Sequence, residues 1–153
     1  MNSKNHKMTR GQIDKKVHEF VDRCRASGRK VTSQRLAVYK ELVRSKDHPS
    51  AEMLHRKIKR TSPSISLDTV NRTLLTLSEM GEASILEGSG DPKRFDAGME
   101  KHQHFRCIKC KRIIDFHHKP FDEIKVPASI RKQFTVLRKT LYLEGICDRC
   151  NLR

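Results

Sequence analysis

Apolar residues recur at three- and four-residue steps through the first half of the chain, then give way to short alternating runs. Ile13, Val17, Phe20, Val21 and Cys24 share one face of a helix, and Gly28 is placed to end it. Thr32 or Ser33 can cap a second helix that turns Leu36, Tyr39, Leu42 and Val43 inward, with His48-Pro49 as its stop. Ser50 caps a third, with Ala51, Leu54 and Ile58 inward. Ser62-Pro63-Ser64 breaks the chain before a fourth helix, from about Leu67 to Met80. Its inward stripe is Leu67, Val70, Leu74 and Leu77. Asp68, Thr69, Arg72 and Thr76 then face outward, with Asn71 at the edge. Short polar groups and one Arg suit base edges and phosphates in a major groove, whereas an ordinary solvated face more often carries Glu–Lys pairs.

After Gly81 the period changes. Residues 83–87 and 93–95 read as strands around the turn-rich Gly88-Ser89-Gly90-Asp91-Pro92. Helices followed by a hairpin predict a winged helix-turn-helix. Further on, residues 103–107, 112–116 and 135–144 read as strands, with a short helix between Phe121 and Lys132. The fold class is therefore α+β. The expected domains are a winged unit over residues 1–96, a hinge at 97–102, and an α/β unit over 103–153.

Charge adds a partner to this picture. The net charge is +15 over 153 residues. Residues 1–60 hold 17 Lys/Arg against 6 Asp/Glu, while residues 61–100 hold 3 against 7. A basic N-terminal third points to a polyanion, of which nucleic acid is the commonest. The leader 1–10 is basic and polar, without the apolar stretch of a secretory signal, and is expected to be flexible until DNA is near. No apolar run reaches the 18 or so residues that cross a bilayer. A cytoplasmic protein without a membrane partner is the expectation. Aromatic mass is scarce, with no Trp and two Tyr, so metal stapling or dimerisation is expected to supplement the core.

Chemistry gathers in the C-terminal third. Cys107-x-x-Cys110 and Cys147-x-x-Cys150 are separated by 36 residues. In a reducing compartment such pairs are metal ligands or redox thiols rather than disulfides. Four thiolates suit a closed tetrahedral Zn²⁺ that holds a fold together. The fifth cysteine, Cys24, lies on the apolar helix stripe and reads as a small buried hydrophobe. His102-x-His104 can direct both imidazoles to one face of a strand. Asp96 precedes the pair, and Asp115 follows it between apolar neighbours, where a carboxylate calls for a metal or a basic partner. Nitrogen and oxygen donors suit a harder ion than zinc thiolate sites do, such as Fe²⁺ or Mn²⁺. His117 and His118 precede Lys119-Pro120 and read as an exposed turn.

Taken together, these residues resemble the ferric uptake regulator family of bacterial metalloregulators. The resemblance runs from about Gly28 to Cys150. It rests on Thr32-x-Gln34-Arg35, His48-Pro49-Ser50-Ala51-Glu52, Thr69-Val70, Leu74, Arg94-Phe95-Asp96, His102-x-His104, Cys107-x-x-Cys110 and Gly145-x-Cys147-x-x-Cys150. It implies a winged helix hinged to a dimerisation domain, acting as a homodimer on palindromic double-stranded operators. By position it makes Cys107, Cys110, Cys147 and Cys150 structural Zn²⁺ ligands. His48, Asp96, His102, His104 and Asp115 become a regulatory Fe²⁺ or Mn²⁺ site. Aspartate at both Asp96 and Asp115 is similar to the peroxide-sensing (PerR) branch, in which the histidines matching His48 and His102 are oxidised and DNA is released.

The same resemblance assigns Lys30, Arg35, Thr69, Asn71 and Arg72 to DNA. Asn71 departs from the Tyr usual at its position. A further histidine-rich metal site found in some members is not expected, because its neighbourhoods hold Lys101, Gln103, Arg138 and Lys139. The resemblance implies a metal-dependent repressor, not an enzyme, with no small organic substrate. A regulator of iron or zinc uptake that reads metal concentration alone is the same-fold alternative. A metal-dependent hydrolase using His102, His104 and Asp115 would need a catalytic helix such as HExxH, which the sequence lacks. A zinc-ribbon RNA binder would need stacking aromatics on its basic surface.

Overall fold

The computed structural model describes residues 8–86, 91–98 and 100–152. The chain divides into two compact units at residues 99 and 100, each considered on its own below. The leader expected over 1–10 lies, for residues 1–7, outside the described residues, and Thr9 and Arg10 already belong to the first helix.

The first unit opens with four helices: α1 (Arg10–Ala26), α2 (Ser33–Arg44), α3 (Ala51–Ile58) and α4 (Leu67–Glu79). Each begins at a hydroxyl that accepts a hydrogen bond from an otherwise unpaired first-turn amide: Thr9, Thr32, Ser50 and Ser66. Thr9 forms a reciprocal capping box with Gln12. Gly28 (φ +67°) and Gly81 (φ +73°) supply the left-handed turns that close α1 and α4. There the amides of Arg29 and Glu82 return to the carbonyls of Cys24 and Leu77, at 2.8 Å each.

The helices enclose one core of Phe20 and Cys24, Val38 and Leu42, Leu54, and Val70, Leu74 and Leu77. A short antiparallel hairpin completes the winged unit, β1 (Ser84–Leu86) with β2 (Arg94–Asp96). It pairs Ile85 with Phe95 and buries Phe95 in the core. Residues 88–90 of the expected turn lie outside the described residues.

Two expectations in this unit need correction. Leu67 is 40% exposed rather than on the inward stripe. Ile65, just before the Ser66 cap, takes the buried place, and it stands with Val70 in the positions of a hydrophobic staple. The second helix ends at Arg44, ahead of His48-Pro49, because Ser45 is extended and turns its hydroxyl onto the carbonyl of Glu41.

The second unit is built on a three-stranded sheet in the order β4 (Ile113–Phe116), β3 (Gln103–Cys107), β5 (Tyr142–Gly145). Strand β3 runs antiparallel to β4, with His104 opposite Asp115, and parallel to β5, with Cys107 opposite Gly145. The helix expected between Phe121 and Lys132 is two short pieces, α5 (Lys119–Asp122) and α6 (Ala128–Gln133). Pro127 separates them, since it disfavours helical geometry at Val126 before it. The long strand expected over 135–144 keeps only its last residues. Residues 135–140 have no ladder partner, and Phe134, Val136 and Leu137 lie exposed. A one-turn helix, α7 (Asp148–Asn151), follows Cys147. Among the described residues, no helix is long and apolar enough to cross a membrane.

Candidate metal and nucleic-acid sites

The four paired cysteines converge in the second unit. Cys107 ends β3, and the chain then turns through Lys111 (φ +61°), whose amide returns to the Cys107 carbonyl. The parallel register with β5 delivers Cys147 to the same place, and its amide donates to Cys107 Sγ at 3.4 Å. All four sulfurs lie within 4.8 Å of one another, and Cys110 Sγ and Cys147 Sγ are 3.7 Å apart. Zn–S bonds of about 2.3 Å put tetrahedral sulfurs about 3.8 Å apart, whereas a disulfide needs about 2.05 Å. All five cysteines are free thiols.

The amides of Cys110 and then Cys147 draw the Cys107 thiol down to about 6, so this sulfur is readily a thiolate. Its hydrogen bond with Cys110 pushes Cys150 the other way, to about 12. Arg112 bonds Asp148 between the second pair and also reaches the Cys147 sulfur, placing a cation beside the thiolates. This donor set fits Zn²⁺.

The nitrogen and oxygen donors fall in both units. In the second, the β3–β4 register sets His104 Nε2 3.5 Å from Asp115 Oδ1, and His102 Nε2 lies 3.8 Å from the same oxygen. The two Nε2 atoms are 2.9 Å apart. His102 Nδ1 lies 2.7 Å from the carbonyl of Glu100, which can only accept. The neutral ring therefore carries its proton on Nδ1 and presents an Nε2 lone pair, as a metal ligand must. Adjacent ligands of an octahedral ion bonded at about 2.1 Å are about 3 Å apart, so the two Nε2 atoms stand at such a spacing, with the carboxylate oxygen farther out. In the first unit, His48 is buried (4% exposed), and its Nε2 lies 3.8 Å from Asp96 Oδ1. The amide of Gly98 orients that carboxylate at 2.7 Å. His117 and His118 are exposed, and His118 packs edge-on against Phe121. Gln103 bridges to Asp122 and to the amide of His118, and Lys139 caps the carbonyls of Asp122 and Ile124.

On α4, Asn71 and Arg72 are exposed, and Arg72 makes a solvent-facing pair with Asp68 at 3.4 Å. Thr69 is half-buried and shares a hydrogen bond with the Ser66 cap, while Thr76 turns back onto the Arg72 carbonyl. Lys30 is exposed in the α1–α2 loop. Arg35 folds back onto the Lys30 carbonyl, so it pins that loop.

Sequence reasoning missed two groups. Glu82, 7% exposed at its side chain, takes a two-pronged bond from Arg23 and lies 3.4 Å from the Tyr39 hydroxyl. Arg94 was noted only as part of a motif, yet it spans the carbonyls of Asp47 and His48. A charged residue directly after the helix-ending Gly81 was the available signal for Glu82. None existed for the second.

The sequence model of the ferric uptake regulator family matches residues 26–144. The chain belongs to that family. A peroxide-responsive repressor PerR from Staphylococcus epidermidis is 30% identical over 138 residues, covering 90% of this chain and 92% of that protein. The structure of a Campylobacter jejuni peroxide stress regulator matches with a TM-score of 0.65 and 31% identity, over 94% of this chain and 100% of that one. The Helicobacter pylori ferric uptake regulator, described as having three functional metal-binding sites, matches with a TM-score of 0.76. It covers 91% of this chain and 93% of that one, and at 24% identity it speaks for the fold alone. Family membership makes this chain a metal-responsive transcriptional regulator, from a family of dimeric DNA-binding proteins rather than enzymes. The four clustered thiols suit a structural Zn²⁺, and the clustered His and Asp donors suit a regulatory metal.

Proposed function

We propose that this ferric uptake regulator homologue is a peroxide-sensing repressor. The observation that carries the reading is the convergence of His102 Nε2, His104 Nε2 and Asp115 Oδ1, a donor set without sulfur and distinct from the four thiols. The PerR relatives support it. Cys107, Cys110, Cys147 and Cys150 hold the structural Zn²⁺. His48 and Asp96, with His102, His104 and Asp115, hold one regulatory ion. Residues 97–102 act as the hinge between a DNA-binding part (1–96) and a dimerisation and zinc-binding part (103–153).

The exposed Phe134, Val136 and Leu137 meet a second copy in the homodimer. Lys30, Arg35, Thr69, Asn71 and Arg72 serve the duplex, with Asn71 and Arg72 at the major groove and Arg35 holding the Lys30 loop. A cytoplasmic protein on palindromic operators follows from that role, because two-fold protein symmetry is matched by two half-sites about one turn or a multiple apart.

Ligands drawn from both parts let metal binding favour one arrangement of the recognition helices. A difference of about 5.5 kcal/mol would carry a 1:99 population to 99:1. His48, Asp96, His102, His104 and Asp115 would hold the ion, and Fe²⁺ there would supply the redox chemistry that activates H₂O₂. One peroxide oxygen would be inserted into a ring C–H bond of His48 or His102, the imidazole being oxidised by two electrons and the other oxygen leaving as water. The modified ring would be lost as a donor, and the DNA-binding arrangement with it.

The test is anaerobic loading of the zinc-containing dimer with Fe²⁺ or Mn²⁺, followed by stoichiometric H₂O₂. Operator binding and the masses of peptides containing His48 and His102 are followed together. A gain of one oxygen in the iron form alone, with loss of binding, is the expected result. Unmodified histidines, with binding that follows metal alone, would make the protein an uptake-type regulator instead.

A further inference from the structure

His48 stands in a backbone conformation that few residues other than glycine adopt. Its φ is +45°, in the left-handed region, while its ring is buried. Histidine enters this region more readily than most L residues, and here its surroundings fix it. The restraint comes from strand β2. Arg94 Nε donates to the His48 carbonyl, and Arg94 Nη2 donates to the Asp47 carbonyl. The next amide, Phe95 N–H, donates to the Pro49 carbonyl at 3.1 Å. Three consecutive carbonyls, from residues 47 to 49, are thus tied to two consecutive residues of the wing.

Alternation along β2 gives the tie its direction. Arg94 and Asp96 are two apart and point to the same side of the strand, and Asp96 Oδ1 lies 3.8 Å from His48 Nε2. One strand therefore carries both the clamp on the His48 backbone and the carboxylate that faces the His48 ring. Ser50, two residues beyond His48, caps α3, which packs against α4 in the core. The guanidinium is also half-buried, and burial lowers its pKa. Desolvation of this kind is tolerated because a planar fork can satisfy two carbonyls at once, which a lysine ammonium cannot do in the same geometry.

We infer that Arg94 is a positioning residue for the regulatory metal: it holds the His48 backbone so that the imidazole faces Asp96, and so sets the affinity of that donor pair. The inference rests on the reading of His48 as a metal donor. Groups behind a ligand that fix its orientation are typically worth about 10- to 100-fold in metal affinity.

The test titrates the full-length zinc-loaded protein with Mn²⁺, following free Mn²⁺ by its electron paramagnetic resonance signal, for Arg94→Ala, Arg94→Lys and His48→Ala. Zinc content and thermal melting are measured on the same samples. Arg94→Ala should weaken Mn²⁺ binding by about 10- to 100-fold with zinc retained, and millimolar guanidinium ion should recover part of the loss. Lysine should not restore wild-type affinity. A loss under His48→Ala with wild-type affinity in Arg94→Ala overturns the inference and leaves the metal assignment standing. Wild-type affinity in His48→Ala removes the metal assignment, and the inference with it. If Arg94→Ala does not fold, Arg94→Lys carries the test, and wild-type affinity in it overturns the inference. A loss in proportion to the fall in melting temperature, unrelieved by guanidinium, also overturns it, since it would mark a purely structural role.

Discussion

The two units are held together in different ways. In the winged unit a continuous apolar core runs from Ile13 on α1 through Val38, Leu54 and Leu74 to Phe95 on the wing. In the second unit, the buried side chains among the described residues are Gln103, His104, Cys107 and Cys147. Its large apolar residues face outward instead, with Leu137 at 93% exposure and Phe134 at 61%. One unit can fold on burial alone. The other, of little more than fifty residues, lacks the interior for that, so metal and a partner surface are the supplements to expect. The thiol set thus lies in the unit that lacks an apolar interior, whereas the winged unit has a core of its own.

Removing zinc tests this contrast most severely. Cys147→Ser should release the metal and abolish the β-structure of residues 103–152, because zinc binding is worth about 10 kcal/mol or more to such sites. Amide exchange read by segment should leave α1–α4 protected. Joint loss of protection in both units would break the comparison.

The converse perturbation is Phe20→Ala, which empties the middle of the helical core beside the Tyr39 ring, 4.1 Å away centre to centre. A loss of about 3–5 kcal/mol in urea unfolding is expected, with zinc bound throughout.

Alkaline pH should act on the winged unit through Tyr39. Burial, followed by the charge of Glu82, pushes the Tyr39 phenol up to about 12 from an ordinary 10. Raised in the folded state, this group contributes its stability in full below pH 10 and loses it as pH rises from 10 to 12. Two units correspond to about 2.7 kcal/mol. Urea midpoints at pH 8 and pH 11.5 should diverge less in Tyr39→Phe than in the wild type.

The smallest effect expected is that of Arg23→Ala, which leaves Glu82 buried without its two-pronged partner. Breaking a fully buried pair costs about 3–5 kcal/mol. The Arg23 side chain is 50% exposed, so solvent screening reduces the expected loss to about 2 kcal/mol, readable in urea unfolding with operator specificity retained.

Much of the helical half was legible residue by residue. Thr32, Ser50 and Gly28 mark helix ends because capping and left-handed turns are local preferences. The apolar period placed Val70, Leu74 and Leu77 correctly because a helix repeats its own geometry. It failed at Leu67, where a staple formed by Ile65 overrode the stripe. The second unit was less legible. The β-branched and aromatic residues of 135–144 are a real strand signal, but a strand needs a neighbour to bond, and residues 135–140 have none among the described residues. The short helix expected between Phe121 and Lys132 is present as α6, and Pro127 keeps it apart from the single turn of α5.

By itself, the sequence determined the α+β order of elements, the thiol set, the His-x-His pair and the basic first third, since these depend on residue type and short spacing. Tertiary structure decided what depends on register and long-range approach. The parallel pairing of β3 with β5 brings Cys147 to Cys107 across 40 residues. The β3–β4 register sets Asp115 against His104, and Arg94 meets His48 from 46 positions away. Charge and spacing are written along the chain, but hydrogen-bond partners separated by tens of residues exist only once the strands have chosen their neighbours.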